Sequence, residues 1–505
     1  MIILQSYHWY TKNDGKLWIK LRKRIPQFKE MGISHIWLPP PTRAKRGLCP
    51  TENDPIQPKH IKEYINSFLP DVGEVGYSIL SLFDLNNTKY GNEVDFRQLV
   101  NELNQANIVA VVDSVLNHRT GVVPINYESK YYECDLFDTQ NRNEKIGEAS
   151  VKFPVYLEKL PNDEILYIDG MYYNSIGYCP NSIAKIKGKE WSNNVSMEFG
   201  NYDHLLGVNM DLNSEYTKSL YKKWFTWMIE EYHIGGFRID ALKHMDHVVV
   251  VELIEFTKKI KEDVFFLCEV WNGDETILRN YEKSLKANIF NVNQHYRFYE
   301  SSKKGNQYDL RNIISPFKGI PFVDNHDTQP SQDLESFVDG WFKLSAYTIL
   351  LLRNTNPVIF IADYDGALYN STDKDTKRGK YPIAIPKLKY HLDIILKIRK
   401  EGFVLKKDYF DHPNCIGWVS NKFVVILNND TADWKLWMKA NPKTKYMDAL
   451  FFRSEIITTD HEGNGEFISN SGTVSVWVPI SDTQTSFIQH ETIEENNHKN
   501  SQIAI

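Results

Sequence analysis

Residues 235–245 read GGFRIDALKHM, a short apolar run ending in Arg238 and Asp240, with Lys243 and His244 just beyond. In a strand, alternate side chains share a face, so Arg238 and Asp240 point the same way and can meet as a charge pair. A carboxylate kept ionised by a guanidinium is what a nucleophile requires at neutral pH. Taken alone, the pair reads equally as a salt bridge at a strand end. Three other apolar runs end in similar clusters. DSVLNH ends in Asp113, Asn117 and His118, FFLCEVWN in Glu269 and Trp271, and FVDNHD in His326 and Asp327. One carboxylate at a strand end is usually a helix cap or a surface charge. Three of them, at the ends of three strands and beside basic residues, are better explained as one active site.

Environment assigns the chemistry. Asp240, paired with Arg238, is the nucleophile candidate. Glu269 follows Phe265, Phe266 and Leu267 and precedes Trp271, so partial desolvation should raise its pKa and let it act as acid and then base. Two carboxyls in these roles define retaining glycoside hydrolysis and should lie about 5–5.5 Å apart. Asp327 would hold the hydroxyls of a distorted sugar ring. His118 and His326 read either as donors to that sugar or as structural hydrogen-bonding groups.

These groups need a scaffold that brings strand ends together. Apolar runs at residues 2–9, 33–38, 108–115, 235–240, 264–270, 287–292, 321–325 and 357–362 read as eight strands. Helical periodicity separates most of them, at 17–31, 93–107, 215–232, 246–261, 274–286, a short stretch after 292, 333–353 and 388–400. The pattern predicts an α/β fold, a (β/α)8 TIM barrel with catalytic groups at the C-terminal ends of its strands. Two segments interrupt it: a Pro-rich loop insertion at about 43–72, and an irregular β domain inserted after strand three. The predicted organisation is barrel 1–118, inserted domain 119–208, barrel again 209–402, a C-terminal antiparallel β-sandwich 403–480, and a disordered polar tail 481–505.

Composition narrows the partners. A net charge of −6 with no long Lys/Arg run argues against nucleic acid. The 12 Trp, 28 Tyr and 26 Phe exceed what packing demands and suit flat ligands such as carbohydrate. Five scattered cysteines, with no CxxC, point to a reducing compartment. The opening MIILQSYHWY does not read as a signal peptide and no apolar run is long enough to span a membrane, so a cytoplasmic protein is expected, with a monomer the simplest assembly.

The segments DSVLNH, GGFRIDALKH, LCEVWN and FVDNHD resemble, in order and spacing, the four signature regions of the α-amylase family, glycoside hydrolase family 13. GNYDHLLGVNMDL, DNHDTQPSQ and DYFDHPNCIGW further resemble the liquefying and intracellular bacterial-type α-amylases, and the similarity runs from about Gln5 to Trp477. The resemblance implies hydrolysis of internal α-1,4 bonds in starch, glycogen or maltodextrins. Asp240 would form the glycosyl-enzyme, Glu269 protonate the leaving oxygen and Asp327 stabilise the transition state. Tyr77, His118, Arg238 and His326 would surround the sugar at the cleavage point, and Lys243, His244 and Trp271 the leaving-side sugars; wall packing is the alternative for Tyr77 and Trp271. It also implies a structural Ca²⁺ at Asn117, Asp203, Asn209 and the carbonyl of His244, of a kind that oxygen donors suit.

The chain departs from that family in several places. Its relatives carry Asp where Asn209 stands, and Ser192 replaces another metal carboxylate, which leaves one weakened calcium site or none. The loop SILSLFDLNNTKYGN after Tyr77 is short, and FIADYDG replaces a Gly-Asp-Tyr pattern. These changes keep open a transglycosylase or an exo-acting α-glucosidase on the same scaffold. A non-catalytic glucan-binding protein is the reading that the intact trio Asp240, Glu269 and Asp327 argues against.

Overall fold

The computed structural model describes residues 1–44, 75–86, 88–120, 129–179, 181–370 and 382–480. Beyond the short strand Arg43–Ala44, the insertion expected at 43–72 lies outside the described residues, as does the tail from 481.

Seven parallel strands form one sheet in the order Asn288–Ile289, Phe265–Cys268, Gly236–Ile239, Val109–Ser114, His35–Leu38, Ile3–Gln5, Val358–Phe360. Parallel bridges from Phe290 to Ile320 and from Phe322 to Val358 supply the eighth position and join the sheet's two edges. Ile320 N donates to Ile289 O at 2.8 Å and Val358 N to Pro321 O at 2.9 Å. The ring is a (β/α)8 barrel. The strand expected at 321–325 is reduced to these bridges, for two reasons. Pro321 has no N–H to give, and the chain turns immediately after it, Asp327 N and Thr328 N both donating to Asn325 Oδ1.

The catalytic-strand candidate sits tightly between its neighbours. A Cβ on Gly235 would lie 2.7 Å from Val109 Cγ1, and one on Gly236 2.8 Å from Phe265 O. The two glycines are therefore what lets this strand enter the barrel. Helices Glu93–Gln105, His247–Ile260 and Glu275–Leu285 start on side-chain caps from Asn92, Asp246 and Asp274. The helix expected at 333–353 begins only at Gly340. The residues before it are spent on a folded-back loop, with Ser331 N on Glu335 Oε2 and Ser336 N on Thr328 O.

Between the Val109–Ser114 strand and helix Glu215–Tyr232 lies a six-stranded sheet in the order His118–Arg119, Val208–Met210, Tyr173–Gly177, Ser182–Ile186, Ser129–Asp138, Asn141–Pro154. Its pairs are antiparallel and interrupted by register shifts. A buried ion pair, Arg119 to Glu158 at 2.7 Å, anchors it. Glu158 also accepts from Leu82 N at 2.8 Å and from the Ser81 hydroxyl at 2.5 Å, gripping the segment that follows Tyr77.

By internal packing the chain divides into two units. The first holds Met1–His295, Pro316–Ser336 and Asn356–Ile385; the second holds Tyr296–Ser315, Phe337–Thr355 and the described residues from Pro386 onward. The second unit contains a six-stranded antiparallel sheet and the ribbon Trp434–Lys439 with Asn464–Ser469, closed over a core that includes Val424, Ile426, Met438, Phe467 and Trp477. No helix of the described residues is long and apolar enough to cross a membrane.

Candidate active site

Strand register builds the centre of the site. Arg238 pairs with Asp113 on one side and Leu267 on the other, and Trp37 pairs with Val111, so these residues alternate onto one inward face. Arg238 is fully buried and touches three carboxylates: Asp113 at 2.9 Å, Asp240 at 2.6 Å and Glu269 at 2.8 Å. Asp113 Oδ2 also accepts from Trp37 Nε1 at 2.9 Å, Tyr7 Oη at 2.9 Å and Tyr77 Oη at 2.7 Å. Glu269 Oε2 accepts from Ala241 N at 2.9 Å. Ala241 reaches that position in the left-handed region, φ 51° and ψ 39°, a strained conformation for a residue with a Cβ.

The charge count of this cluster matters. Asp113, Asp240, Glu269 and Asp327 face the single guanidinium of Arg238. Burial pushes the Asp240 carboxyl well above the ordinary carboxylate range, Arg238 pulls it down, and Glu269, Asp113 and Asp327 push it up again. The expectation that Arg238 alone keeps Asp240 ionised is corrected by this sharing. Burial, reinforced by Glu269, raises Asp327 to about 8 against the pull of Arg238. Like charges this close cannot all ionise together, so the cluster retains a proton near neutral pH.

An aromatic wall stands beside the carboxylates. Tyr77 stacks on His326 at 5.0 Å, and the Trp9 ring lies parallel to both, 6.3 Å from Tyr77 and 6.2 Å from His326. Gln5 Nε2 lies 2.9 Å from His326 Nδ1. With Gln5 donating, the imidazole proton is on Nε2, which faces Asp327 Oδ2 at 3.3 Å. Burial lowers the His326 pKa well below its ordinary value, so the ring stays neutral. His118 Nε2 bonds the carbonyl of Tyr77 at 3.2 Å. Burial holds it neutral, with a pKa of about 4.

The residues expected on the leaving side are also placed. Lys243 pairs with Glu198 at 3.2 Å and lies over the Tyr202 ring. His244 Nδ1 bonds Tyr202 O at 2.9 Å. Trp271 packs near His295 and Phe322, as a wall residue does.

The expected metal positions converge, but their chemistry does not fit a tightly held Ca²⁺. Asn117 Nδ2 donates to His244 O at 3.1 Å and to Asp203 O and Asn209 Oδ1 at 3.3 Å. An amide donor thus faces the carbonyls that would face a cation. Asn117 Oδ1 and Asp203 Oδ1 are buried without a partner, which leaves room for a cation, yet Asp203 is the one carboxylate among these positions. No group of three or more His, Cys, Asp or Glu among the described residues could hold a metal ion. The positions assigned to calcium, Asn117, Asp203, Asn209 and the His244 carbonyl, thus come together, with Asp203 supplying the only negative charge among them.

Several members of the site were not identified in advance. Gln5, Tyr7 and Trp9 sit at or just past the first strand, whose LQSYHWY alternation was the available signal. Asp113 stood out as a strand-end carboxylate, but its partnership with Arg238 depends on register between strands. Nothing local marked Ala241 as left-handed.

The family description "Alpha amylase, catalytic domain" matches residues 17–329. The chain is 30% identical to the cytoplasmic alpha-amylase of Escherichia coli K12, over 94% of this chain and 98% of that one. It is 30% identical to an alpha-amylase of Bacillus licheniformis, over 94% and 93%. Among solved structures it superposes on the alpha-amylase of Geobacillus thermoleovorans complexed with acarbose, with a TM-score of 0.62 at 17% identity, over 95% of this chain and 98% of that one.

Proposed function

The chain belongs to the α-amylase family and is a glycoside hydrolase of the α-amylase type; on that premise we propose that it hydrolyses internal α-1,4 bonds of an α-glucan with retention of configuration. The observation that carries the proposal is the Arg238 guanidinium bridging Asp240 and Glu269 through different nitrogens, at 2.6 and 2.8 Å. The bridge holds two carboxyls on one side of a barrel mouth beside the ring wall of Tyr77 and His326. A retaining mechanism needs such a close pair.

In the proposed sequence Asp240 attacks the anomeric carbon while Glu269 gives its proton to the glycosidic oxygen, and the leaving glucan departs with that proton. Glu269, now a carboxylate, takes a proton from water as the water oxygen displaces Asp240 from the sugar. The net product is the α-anomer. At rest Glu269 Oε1 is ion-paired with Arg238 and Oε2 accepts from Ala241 N, so substrate entry must turn one of them toward the scissile oxygen. In this reading Asp327 and His326, 3.3 Å apart, grip sugar hydroxyls and the flattened ring.

The four described cysteines, Cys134, Cys179, Cys268 and Cys415, are free thiols, which agrees with a cytoplasmic protein. Incubation with starch and with short maltooligosaccharides, followed by separation of products by length, tests the function. Internal cleavage yields a spread of lengths from starch, whereas an exo-acting enzyme or a transferase yields a single short product or products longer than the substrate. Loss of all cleavage in Glu269→Gln is expected, and wild type no more active than that variant would overturn the reading.

A further inference from the structure

We infer that this chain holds the junction between its barrel and its inserted sheet with a hydrogen-bonded amide network instead of a divalent cation, so that its fold does not depend on calcium. The inference rests on membership of the family and is independent of the reaction proposed above.

The junction gathers four parts of the first unit. Asn117 follows the Val109–Ser114 strand, His244 follows the catalytic strand, Asn174 and Asn209 lie on neighbouring strands of the inserted sheet, and Ser192 and Asp203 lie in the loop between them. Asn117, Asn174, Ser192, Asp203, Asn209 and His244 are all at least nine-tenths buried. A cluster of polar groups this deep must be satisfied by other polar groups or by an ion.

Side-chain amides and hydroxyls satisfy most of it, leaving Asn117 Oδ1, Asp203 Oδ1 and Ser192 Oγ as the buried oxygens without a partner. Asn174 Nδ2 donates to Asp203 Oδ2 at 2.7 Å, and Ser192 N donates to the same oxygen at 3.1 Å. The side-chain amides of Asn209 and Asn174 meet at 2.9 Å, and the Ser175 hydroxyl donates to Asn174 Oδ1. Asn117 Nδ2 closes the network on His244 O and Asp203 O and lies against the Asn209 amide, with its N–H groups aimed where the carbonyls converge. The carbonyl of His244, which ends the turn after the catalytic strand, is thus tied to the inserted sheet by an uncharged group.

Calcium takes six to eight oxygens, and its affinity follows the number of charged ones. Here Asp203 alone carries charge, and one of its oxygens is already committed to two donors. Binding a cation would require turning the Asn117 amide and breaking its bonds to the carbonyls of Asp203 and His244. The shape of a cation cage remains, with the Asn117 nitrogen facing its two backbone carbonyls and a single carboxylate to draw an ion.

Wild-type protein exhaustively treated with EDTA and then returned to 2 mM Ca²⁺ tests this directly, read by Tm and by calcium content. The expected result is a Tm that moves by less than about 2 °C in either direction, because an ion that does not bind stabilises nothing, and less than stoichiometric calcium after purification without chelator. A larger fall on chelation that calcium reverses, or one calcium per chain, overturns the inference. Asn209→Asp provides the second arm. With a second carboxylate beside Asp203, this variant should become less stable without calcium and regain Tm when it is added. If the variant shows no calcium response, charge is not what the cage lacks, and the account fails on that point.

Discussion

Arg238 and Asp113 face each other in register on neighbouring parallel strands, guanidinium against carboxylate at 2.9 Å, with both side chains wholly buried. The pair fixes the cation that Asp240 and Glu269 share. Asp113 holds the group that holds the catalytic pair. Asp113→Asn keeps the shape and removes the charge, freeing Arg238 to draw harder on Asp240 and Glu269. A misaimed catalytic group costs about 100-fold, and kcat should fall by roughly that factor with KM changed far less. Steady-state kinetics on a maltooligosaccharide checks this, and a change confined to KM would contradict it.

The carboxylate cluster predicts an alkaline limb in the pH profile. Asp327 is raised to about 8, chiefly by burial and Glu269. As pH rises through that value the cluster loses its retained proton, and kcat/KM should fall. The stability effect has the same sign. A carboxyl raised in the folded state contributes stability that is present below the unfolded pKa and is lost as pH climbs through about 8. In Asp327→Asn the alkaline limb should move, and an unmoved limb would assign it to another group.

Acid should destabilise the protein through its histidines. Burial lowers His8 and His118 to about 4, and His204 and His244 to about 3. The unfolded chain takes up protons on these rings below about 6.5 while the folded chain does not. Their contribution is therefore complete above the unfolded pKa and is lost as pH falls through the folded values. Asp203 and Asp448, raised by burial to about 6, and Asp240 and Asp327, raised further, act in the opposite sense over that range, but with His35 and His326 also lowered by burial the histidines outnumber them. Tm measured from pH 7 to pH 4 should decline, and His204→Asn should flatten the decline.

Glu158 links the inserted sheet to the loop of Tyr77. Its partners are Arg119, Ser81 and Leu82, and its side chain is completely buried. Removing one member of a buried ion pair costs about 3–5 kcal/mol, so Glu158→Ala should lower Tm by several degrees. It should also raise KM, because the segment following Tyr77 loses its anchor. Loss of stability with unchanged KM would show that the anchor serves the fold alone.

The parts of this architecture that were legible in the sequence depend on neighbours in the chain. Helix Glu215–Tyr232 announced itself by period, and Asp240, Glu269 and Asp327 by their place after apolar runs. The parts that were not legible depend on pairing across distance. Gln5 meets His326 from 321 positions away, and Asp113 meets Arg238 from 125. The helix at Gly340 starts late because the preceding residues find loop partners that propensity does not register. The left-handed Ala241 carries no glycine or asparagine to mark it; its backbone is held there by Leu242 N on Glu269 O and by its own N–H on the Glu269 carboxylate.

The central claim is that Asp240 and Glu269 act as the close pair of a retaining hydrolase. Proton NMR of the first product released from a short maltooligosaccharide tests it most directly, read before mutarotation blurs the anomers. The account predicts the α-anomer from wild type and no signal from Asp240→Asn or Glu269→Gln. First appearance of the β-anomer, or equal cleavage by either variant, would contradict it.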